Sequence, residues 1–196
     1  IPACKRDIVS KAIAIEPDPK NYHLLKANVE LNCLSKQIIS HNFALGPDKD
    51  QTLELHLSDS NYGDNRIYYE KSNIKNSSQI ISVKSTRLDI ITDALNPEKT
   101  LIWMDVQGYE AYVLLGSEKT LKKGFPMVLE FAPRLMETHN SYFKLKEKLI
   151  QNNYREFIDL SINENIKIPL NDKNLDDLYD LYYSKNSFTD IFVIKL

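Results

Sequence analysis

The stretch I-W-M-D-V-Q-G-Y-E-A-Y-V-L-L-G-S, residues 102–117, decides the fold. It begins with a short apolar run that stops at Asp105, which is typical of a buried strand, and we predict that strand over residues 100–106. A two-residue turn follows, and the apolar residues beyond it predict a helix over residues 110–122 with a bend at Gly116. A buried strand that leads directly into a helix is the unit from which α/β folds with parallel sheets are built.

Short apolar runs alternate with longer amphipathic stretches on both sides of this segment. Strands are predicted over residues 12–16, 37–44, 52–57, 79–85, 126–131, 154–159 and 190–194, and helices over residues 19–32, 88–95, 135–152 and 175–183. Residues 59–78 are polar and rich in turn formers, so we predict a mobile loop that could close over a bound molecule. The pattern as a whole predicts one α/β domain with a largely parallel sheet over residues 1–196.

Composition and charge exclude several classes of protein. The chain has 196 residues, of which 42% are hydrophobic and 27% charged, and this balance suits one globular domain. Its formal net charge is 25 − 27 = −2, so neither a nucleic acid nor a membrane surface is expected as a partner. Its two cysteines, Cys4 and Cys33, are too few for a disulfide scaffold, which favours reduced thiols and a cytoplasmic location. Abundant Asn, Ile and Lys indicate an AT-rich, bacterial genome.

Acidic residues occupy the ends of predicted strands, where ligands bind in doubly wound sheets. Glu16 ends one strand, and a carboxylate there can accept both ribose hydroxyl hydrogens of an adenosine-containing cofactor. A solvent-facing acid is the alternative interpretation. Asp105 ends a central strand, where it could bind a cation, orient an acceptor or serve as a base. It could equally cap the helix that follows.

Other titratable residues allow both structural and functional interpretations. Glu130 lies in the apolar segment V-L-E-F-A-P, so it is either part of a buried ion pair or a site residue with a raised pKa. Glu110 is expected to be structural, because an acid near a helix N-terminus is stabilised by the helix dipole. His41 follows a strand and His139 is expected to head a helix, and packing is favoured for both. No pair of histidines has metal-ligand spacing.

Five segments, taken together, resemble the FkbM family of S-adenosylmethionine-dependent methyltransferases. The strongest signals are the helix start E-P-D-P and the turn D-V-Q-G-Y-E. The matching segments are residues 14–32, 41–46, 88–91, 102–117 and 126–131, in the family's order and spacing. The resemblance implies a class I methyltransferase fold with a Rossmann-like sheet of seven strands, mostly parallel and with an antiparallel last strand. It also implies S-adenosyl-L-methionine as the cofactor.

The resemblance assigns roles to individual residues. Glu16 matches the acid that holds the cofactor ribose, and Pro17 would pack beside the adenine. Asn42 and Phe43 match the segment that contacts the adenine ring. Asp105 matches the strand-end acid near the methyl-bearing sulfonium.

Two departures from the family pattern change these expectations. The family often has Glu at the position of Gln107, and a neutral amide is neither a base nor a good metal ligand, so no metal is expected. The family's Gly-rich first motif should precede residue 1, and the first strand is therefore expected to be absent from this chain. We read the chain as an N-terminally truncated part of a parent protein that can be fused to other domains. Such a fragment should bind the cofactor poorly.

The implied reaction is methyl transfer to the hydroxyl group of a small molecule, such as a sugar. Asp105 and Glu130 are the candidate bases, followed by His139. Two alternatives stay open. The chain could be a non-catalytic remnant or interaction domain that keeps the fold. It could also be a different nucleotide-binding enzyme of the NAD type, because Glu16 would suit a dinucleotide ribose as well.

Overall fold

The computed structural model describes residues 1–68 and 79–195. Within these ranges the strands are β1 (Ala12–Ile15), β2 (Ile38–His41), β3 (Ala44–Leu45), β4 (Thr52–Leu57), β5 (Arg66–Ile67), β6 (Gln79–Thr86), β7 (Ile102–Met104), β8 (Met127–Phe131), β9 (Glu156–Asp159), β10 (Ile168–Pro169) and β11 (Thr189–Ile194). The helices are α1 (Pro2–Lys5), α2 (Pro19–Leu31), α3 (Leu88–Thr92), α4 (Glu110–Leu115), α5 (Glu118–Lys123), α6 (Pro133–His139), α7 (Tyr142–Gln151) and α8 (Asp172–Ser184), with a 3₁₀ turn at Pro97–Lys99. The protein is therefore of the mixed α/β class.

The strands pair in three groups. β1 and β2 pair in parallel, a second group has the order β3-β6-β4-β5, and a third has the order β10-β9-β11-β8-β7. In the third group β7 and β8 are parallel, and β11 runs antiparallel to both β8 and β9. The last strand is thus antiparallel, as expected. The expectation of a mostly parallel sheet is wrong for the described pairings, because β4, β5, β6 and β10 also take part in antiparallel pairs.

Helix α2 begins where the sequence predicts. Asp18 precedes it in an extended conformation, and its Oδ1 accepts a hydrogen bond of 2.8 Å from the Lys20 N–H. Pro19 occupies the first helical position, where its missing N–H costs nothing. These contacts fix the direction in which the chain leaves β1.

Two predicted helices are each divided into two. The predicted helix over residues 135–152 is α6 and α7, because Asn140 adopts the left-handed conformation (φ 50°) that ends a helix. His139 therefore ends a helix rather than heading one. The predicted helix over residues 110–122 is α4 and α5, separated at Gly116. A Cβ at Gly116 would lie 2.2 Å from the Gly46 carbonyl oxygen, so this position accommodates the close approach of another segment.

Two predicted segments between the helices also differ from the structure. The predicted strand over residues 37–44 is interrupted after His41, and the chain then changes partner from β1 to β6. Part of the predicted loop over residues 59–78 is strand β5, which pairs antiparallel with β4. Residues 69–78 lie outside the described residues, so the expected closing loop is untested there.

Two hydrophobic cores support the fold. The larger packs α4, α5, α7 and α8 against β8, β9 and β11, and its fully buried side chains include Leu114, Leu129 and Phe157. The smaller contains Cys4, Val29, Leu34 and Ile38 and supports β1 and β2. The larger core supports the third group of strands. Because β7 and β8 are parallel in this group, their carboxyl ends lie side by side.

Candidate functional site

The register of three strands brings three carboxylates together. Met104 lies opposite Leu129 across the β7–β8 pair, so Asp105 follows β7 beside Glu130 of β8. Asp190 of β11 lies opposite Glu130 in the antiparallel pair. Asp105 and Glu130 are sequence-predicted residues, and the structure places them side by side. Asp190 was missed by sequence reasoning, although an antiparallel last strand would have indicated its position.

A tight turn presents Asp105 and Gln107 to Glu130. Gln107 and Gly108 both have left-handed backbone conformations, with φ of 57° and 89°. Gln107 Nε2 donates to Asp105 Oδ1 at 2.8 Å and lies 3.5 Å from Glu130 Oε2. A Cβ at Gly108 would lie 2.8 Å from Leu135 Cβ, so the turn packs closely against α6. The amide of Gln107 therefore bridges the two sequence-predicted acids.

The buried side chain of Glu110 accepts hydrogen bonds from the backbone of this turn. Its Oε1 accepts hydrogen bonds from the Val106 N–H at 3.0 Å and the Gly108 N–H at 3.4 Å. The side chain is 1% exposed, and Oε2 has no hydrogen-bond partner among the described residues. Burial raises the pKa of Glu110 to about 8, although the backbone N–H groups oppose the rise. These contacts support the structural role expected for Glu110. They stabilise the turn before α4, however, and not only the helix N-terminus.

Glu130 has the electrostatic environment of a proton acceptor near neutral pH. It is 7% exposed, and no ion pair joins it to a described side chain. Burial raises its pKa to about 7, and the charges of Asp105 and Asp190 add to the rise, while Arg66 opposes it. A carboxyl group with this pKa changes protonation state at the pH where most enzymes work. Within residues 1–68 and 79–195, the first of its two sequence interpretations, a buried ion pair, is not seen.

The predicted cofactor residues at the end of β1 also lie together. Asn42 Nδ2 donates to the carbonyl oxygens of Glu16 at 2.9 Å and Pro17 at 3.0 Å. Glu16 Oε1 accepts from the Asp18 N–H at 2.8 Å, and burial raises the pKa of Glu16. The ring of Phe43 stacks on His41, with 5.2 Å between centroids. The structure thus links Glu16, Pro17 and Asn42 directly.

His139 is packed behind the turn. Its ring stacks on Tyr68 with 4.9 Å between centroids, and its Cδ2 is one of the atoms nearest to Gly108. Burial, together with the nearby charge of Arg66, lowers the pKa of His139 to about 4. A ring with a lowered pKa is a weak base, so His139 stays the least favoured of the candidate bases.

A cleft of about 210 Å³ opens beside Gln107 and Glu130. Its lining residues come from the turn after β7, from β8 and α6 with the residue between them, and from the segment before β11. They are Gln107, Glu130, Ala132, Arg134, Leu135, Asn186, Ser187 and Phe188. Within residues 1–68 and 79–195 no group of three or more His, Cys, Asp or Glu side chains could hold a metal ion. The cleft therefore lies beside a titratable carboxyl group.

Comparison with known proteins identifies the chain at the family level. The family model described as the Methyltransferase FkbM domain matches residues 3–179. No curated protein and no solved structure matches the chain. In the part of the chain that the structure describes, no helix is both long enough and apolar enough to cross a membrane. Because the family match spans most of the chain, this protein belongs to the FkbM methyltransferase family.

Proposed function

We propose that this protein is an S-adenosyl-L-methionine-dependent methyltransferase that methylates a hydroxyl group of a small molecule, such as a sugar. One observation carries the proposal: in a chain of a methyltransferase family, Asp105, Gln107 and Glu130 meet at strand ends beside a cleft. A hydroxyl group in that cleft would lie next to Glu130. This residue is the most buried of the three neighbouring acids, which are Asp105, Glu130 and Asp190.

The end of β1 fits the ribose of the cofactor. One oxygen of Glu16 accepts from the Asp18 N–H, and the other makes no hydrogen bond within the described residues, so it can accept from a ribose hydroxyl. Pro17, Asn42 and Phe43 are the residues proposed to border the adenine, and Asp105 lies towards the reacting end. The cofactor supplies a methyl group that its positive sulfur already activates.

Glu130 is the proposed general base. It accepts the proton of the acceptor hydroxyl, which increases the nucleophilicity of that oxygen and contributes roughly 10²–10⁴ in rate. Gln107 holds Asp105 by a 2.8 Å hydrogen bond, which leaves Asp105 better suited to orienting the acceptor than to taking its proton. Alignment of the reacting atoms in the cleft supplies up to about 7–11 kcal/mol of the remaining acceleration.

Calorimetry of the full-length protein with S-adenosylhomocysteine and with NAD tests this proposal. We expect binding of S-adenosylhomocysteine, a large loss of affinity in Glu16→Ala, and no loss in Glu98→Ala, which removes an exposed acid elsewhere. Tight binding of NAD without a response to S-adenosylhomocysteine would favour the dinucleotide enzyme. Failure to bind either ligand would favour a non-catalytic domain.

We further propose that β1–β2 and the five-stranded group belong to one class I methyltransferase sheet over residues 1–196. Among the described residues β1 pairs only with β2, and β7 only with β8, so a strand between them would complete that sheet. The side chain of Trp103 on β7 is 65% exposed, so one face of this strand is open to solvent. A cytoplasmic location is also proposed, and the two free thiols of Cys4 and Cys33 support it.

A further inference from the structure

The turn that follows β7 has a backbone conformation that a glutamine does not favour. The Tyr109 N–H donates to the Val106 carbonyl oxygen at 3.3 Å, and the two residues between them, Gln107 and Gly108, have φ of 57° and 89°. Turns with two left-handed central residues select Gly, Asn and Asp, because most other side chains crowd the backbone there. Gly108 suits its position, whereas Gln107 needs contacts from elsewhere in the fold to hold its conformation.

Glu110 supplies contacts on both sides of Gln107. Its Oε1 accepts from the Val106 N–H at 3.0 Å and from the Gly108 N–H at 3.4 Å, so one oxygen spans the residue between them. Glu110 and Gly108 are both buried. Without this oxygen the Gly108 N–H would be left without an acceptor away from solvent, which destabilises the conformation.

Ser141 holds the same turn from another part of the fold. This residue precedes α7 and is 1% exposed, and its Oγ donates to the Gly108 carbonyl oxygen at 2.9 Å. The other acceptor near this hydroxyl, the Met136 carbonyl oxygen, is farther away at 3.4 Å. Both the N–H and the carbonyl oxygen of Gly108 therefore contact buried side chains, one from α4 and one from the segment between α6 and α7.

The conformation of the turn determines where the amide of Gln107 lies. Nε2 lies 2.8 Å from Asp105 Oδ1 and 3.5 Å from Glu130 Oε2, and its two hydrogens allow one donation to each acid. Neighbouring carboxylates disfavour each other's charged form, and a hydrogen bond donated to a carboxylate favours it. A change of φ at Gln107 would redirect the side chain and remove this bridge.

We infer that Glu110 and Ser141 are positioning residues of the candidate site. They fix the turn, and through it they keep the amide of Gln107 between the two acids. Neither Glu110 nor Ser141 is among the residues that line the cleft, so both act through Gln107. The inference rests on the proposed function, because it concerns the acids to which that proposal assigns the reaction.

NMR of the ¹³C,¹⁵N-labelled full-length protein tests the conformation of Gln107. Its Cα and Cβ shifts report whether φ is positive, and solvent exchange of its side-chain amide reports the bridge. Glu110→Met keeps the volume of the side chain but removes the acceptor, so we expect the left-handed shifts to be lost and exchange to become faster. Glu110→Gln keeps an oxygen in the place of Oε1 and should restore both. Glu118→Met, at an exposed acid in the first turn of α5, is the matched control and should change neither.

The carboxyl ¹³C signal of Glu130 tests whether Glu110 acts through Gln107. Gln107→Ala removes the donor and should move the titration midpoint of Glu130 upward by about half a pH unit, the size expected of one weak hydrogen bond. Glu110→Met should move the midpoint in the same direction, and the double variant should equal Gln107→Ala alone. The charged groups that face Glu130 are unchanged in all variants, and they are Asp105, Asp190, Arg66 and Asp64. Glu110→Gln and Glu110→Met both lack the titrating carboxyl group, so the difference between them reports the acceptor.

Three results would overturn the inference. They are unchanged Gln107 shifts in Glu110→Met, equal effects of Glu110→Gln and Glu110→Met, or a double variant whose midpoint moves beyond that of Gln107→Ala. If Glu110→Met does not fold, Ser141→Ala takes its place, because it removes the bond to the Gly108 carbonyl oxygen.

Calorimetry with S-adenosylhomocysteine on the wild-type protein separates this test from the proposed function. A Gln107 conformation that depends on Glu110, without binding of S-adenosylhomocysteine, would support the positioning role and contradict methyl transfer. Binding of S-adenosylhomocysteine with Gln107 unaffected by Glu110→Met would contradict the positioning role and leave methyl transfer supported.

Discussion

At the scale of single residues, the proposed chemistry depends most directly on Glu130. Burial of this side chain disfavours its charged form, and two neighbouring carboxylates act in the same direction. Asp105 is more exposed and is held by Gln107, so the two acids have different environments although they lie side by side. Different environments are what allow two neighbouring acids to take different roles in one reaction.

Replacing Glu130 with Gln should remove the base while keeping the size of the side chain. A base acts in its ionised form, and the pKa of Glu130 lies at about 7. The kcat/KM of the wild-type enzyme should therefore rise with pH through neutrality. In Glu130→Gln we expect kcat/KM to fall by about 10²–10⁴ and the rise with pH to disappear. The measurement is the pH–rate profile of both proteins.

Asp190→Asn is the control for that profile. It removes a charge that raises the pKa of Glu130, so the rise in kcat/KM should persist but begin at lower pH. A Glu130→Gln enzyme with the wild-type profile would assign the base to another group, and Asp105 would be the next candidate.

Glu110 should make the stability of the protein fall with increasing pH. Its pKa is raised from 4.5 to about 8, so the native state keeps a proton that the unfolded chain releases. The stabilising contribution is complete below pH 4.5 and is lost as the pH rises towards 8. Glu110→Gln cannot titrate, and we expect its Tm to decline less between pH 5 and pH 9 than that of the wild type. Thermal unfolding monitored by circular dichroism measures both.

The matched control for this experiment is Glu118→Gln, an exposed residue in the first turn of α5. Its Tm should decline with pH as steeply as that of the wild type. Equal slopes for Glu110→Gln and the wild type would show that Glu110 is ionised in the native state. The account of the buried carboxyl group would then be wrong.

At the scale of elements, the turn between β7 and α4 determines the geometry of the site. Gly108→Ala should destabilise the protein by about 1–3 kcal/mol, because its φ is 89° and the new Cβ would meet Leu135 and His139 at 2.8 Å. Gly63→Ala is the control, since its nearest contact is 3.4 Å away and the change should stay within about 0.5 kcal/mol. Urea denaturation measures both, and equal effects would contradict the close packing of the turn.

The sequence was informative wherever a local rule decides the structure. Asp18 and Pro19 predicted the start of α2, and the acids at strand ends predicted which side chains would meet once β7 and β8 lay in parallel. The division at Asn140 could not be predicted in this way, because the apolar spacing continues through it and a left-handed Asn leaves no periodic signal.

The site was harder to predict where long-range packing decides it. The helix-dipole rule treats Glu110 as a surface residue, whereas in the structure it is buried beneath the turn. The position of Phe188 beside the cleft depends on the path of the chain between α8 and β11, and no local pattern around that residue indicates it.

At the scale of the whole molecule, the two cores differ greatly in size. The larger contains most of the buried hydrophobic side chains, whereas the smaller has Cys4, Val29, Leu34 and Ile38. We therefore expect backbone amides of β8 and β11 to exchange with solvent much more slowly than those of β1 and β2. Hydrogen exchange followed by mass spectrometry measures this. Equal protection of the two groups would indicate that they unfold as one unit.

We propose that one cofactor molecule joins two groups of residues: Glu16 would hold its ribose, and Asp105 and Glu130 would face the reacting methyl group. A crystal structure of the full-length protein with S-adenosylhomocysteine tests it most directly. We expect the Glu16 carboxylate within hydrogen-bonding distance of the ribose hydroxyls, with the sulfur directed towards the cleft beside Glu130. A ligand bound elsewhere, or a Glu16 side chain turned away from the ribose, would contradict it.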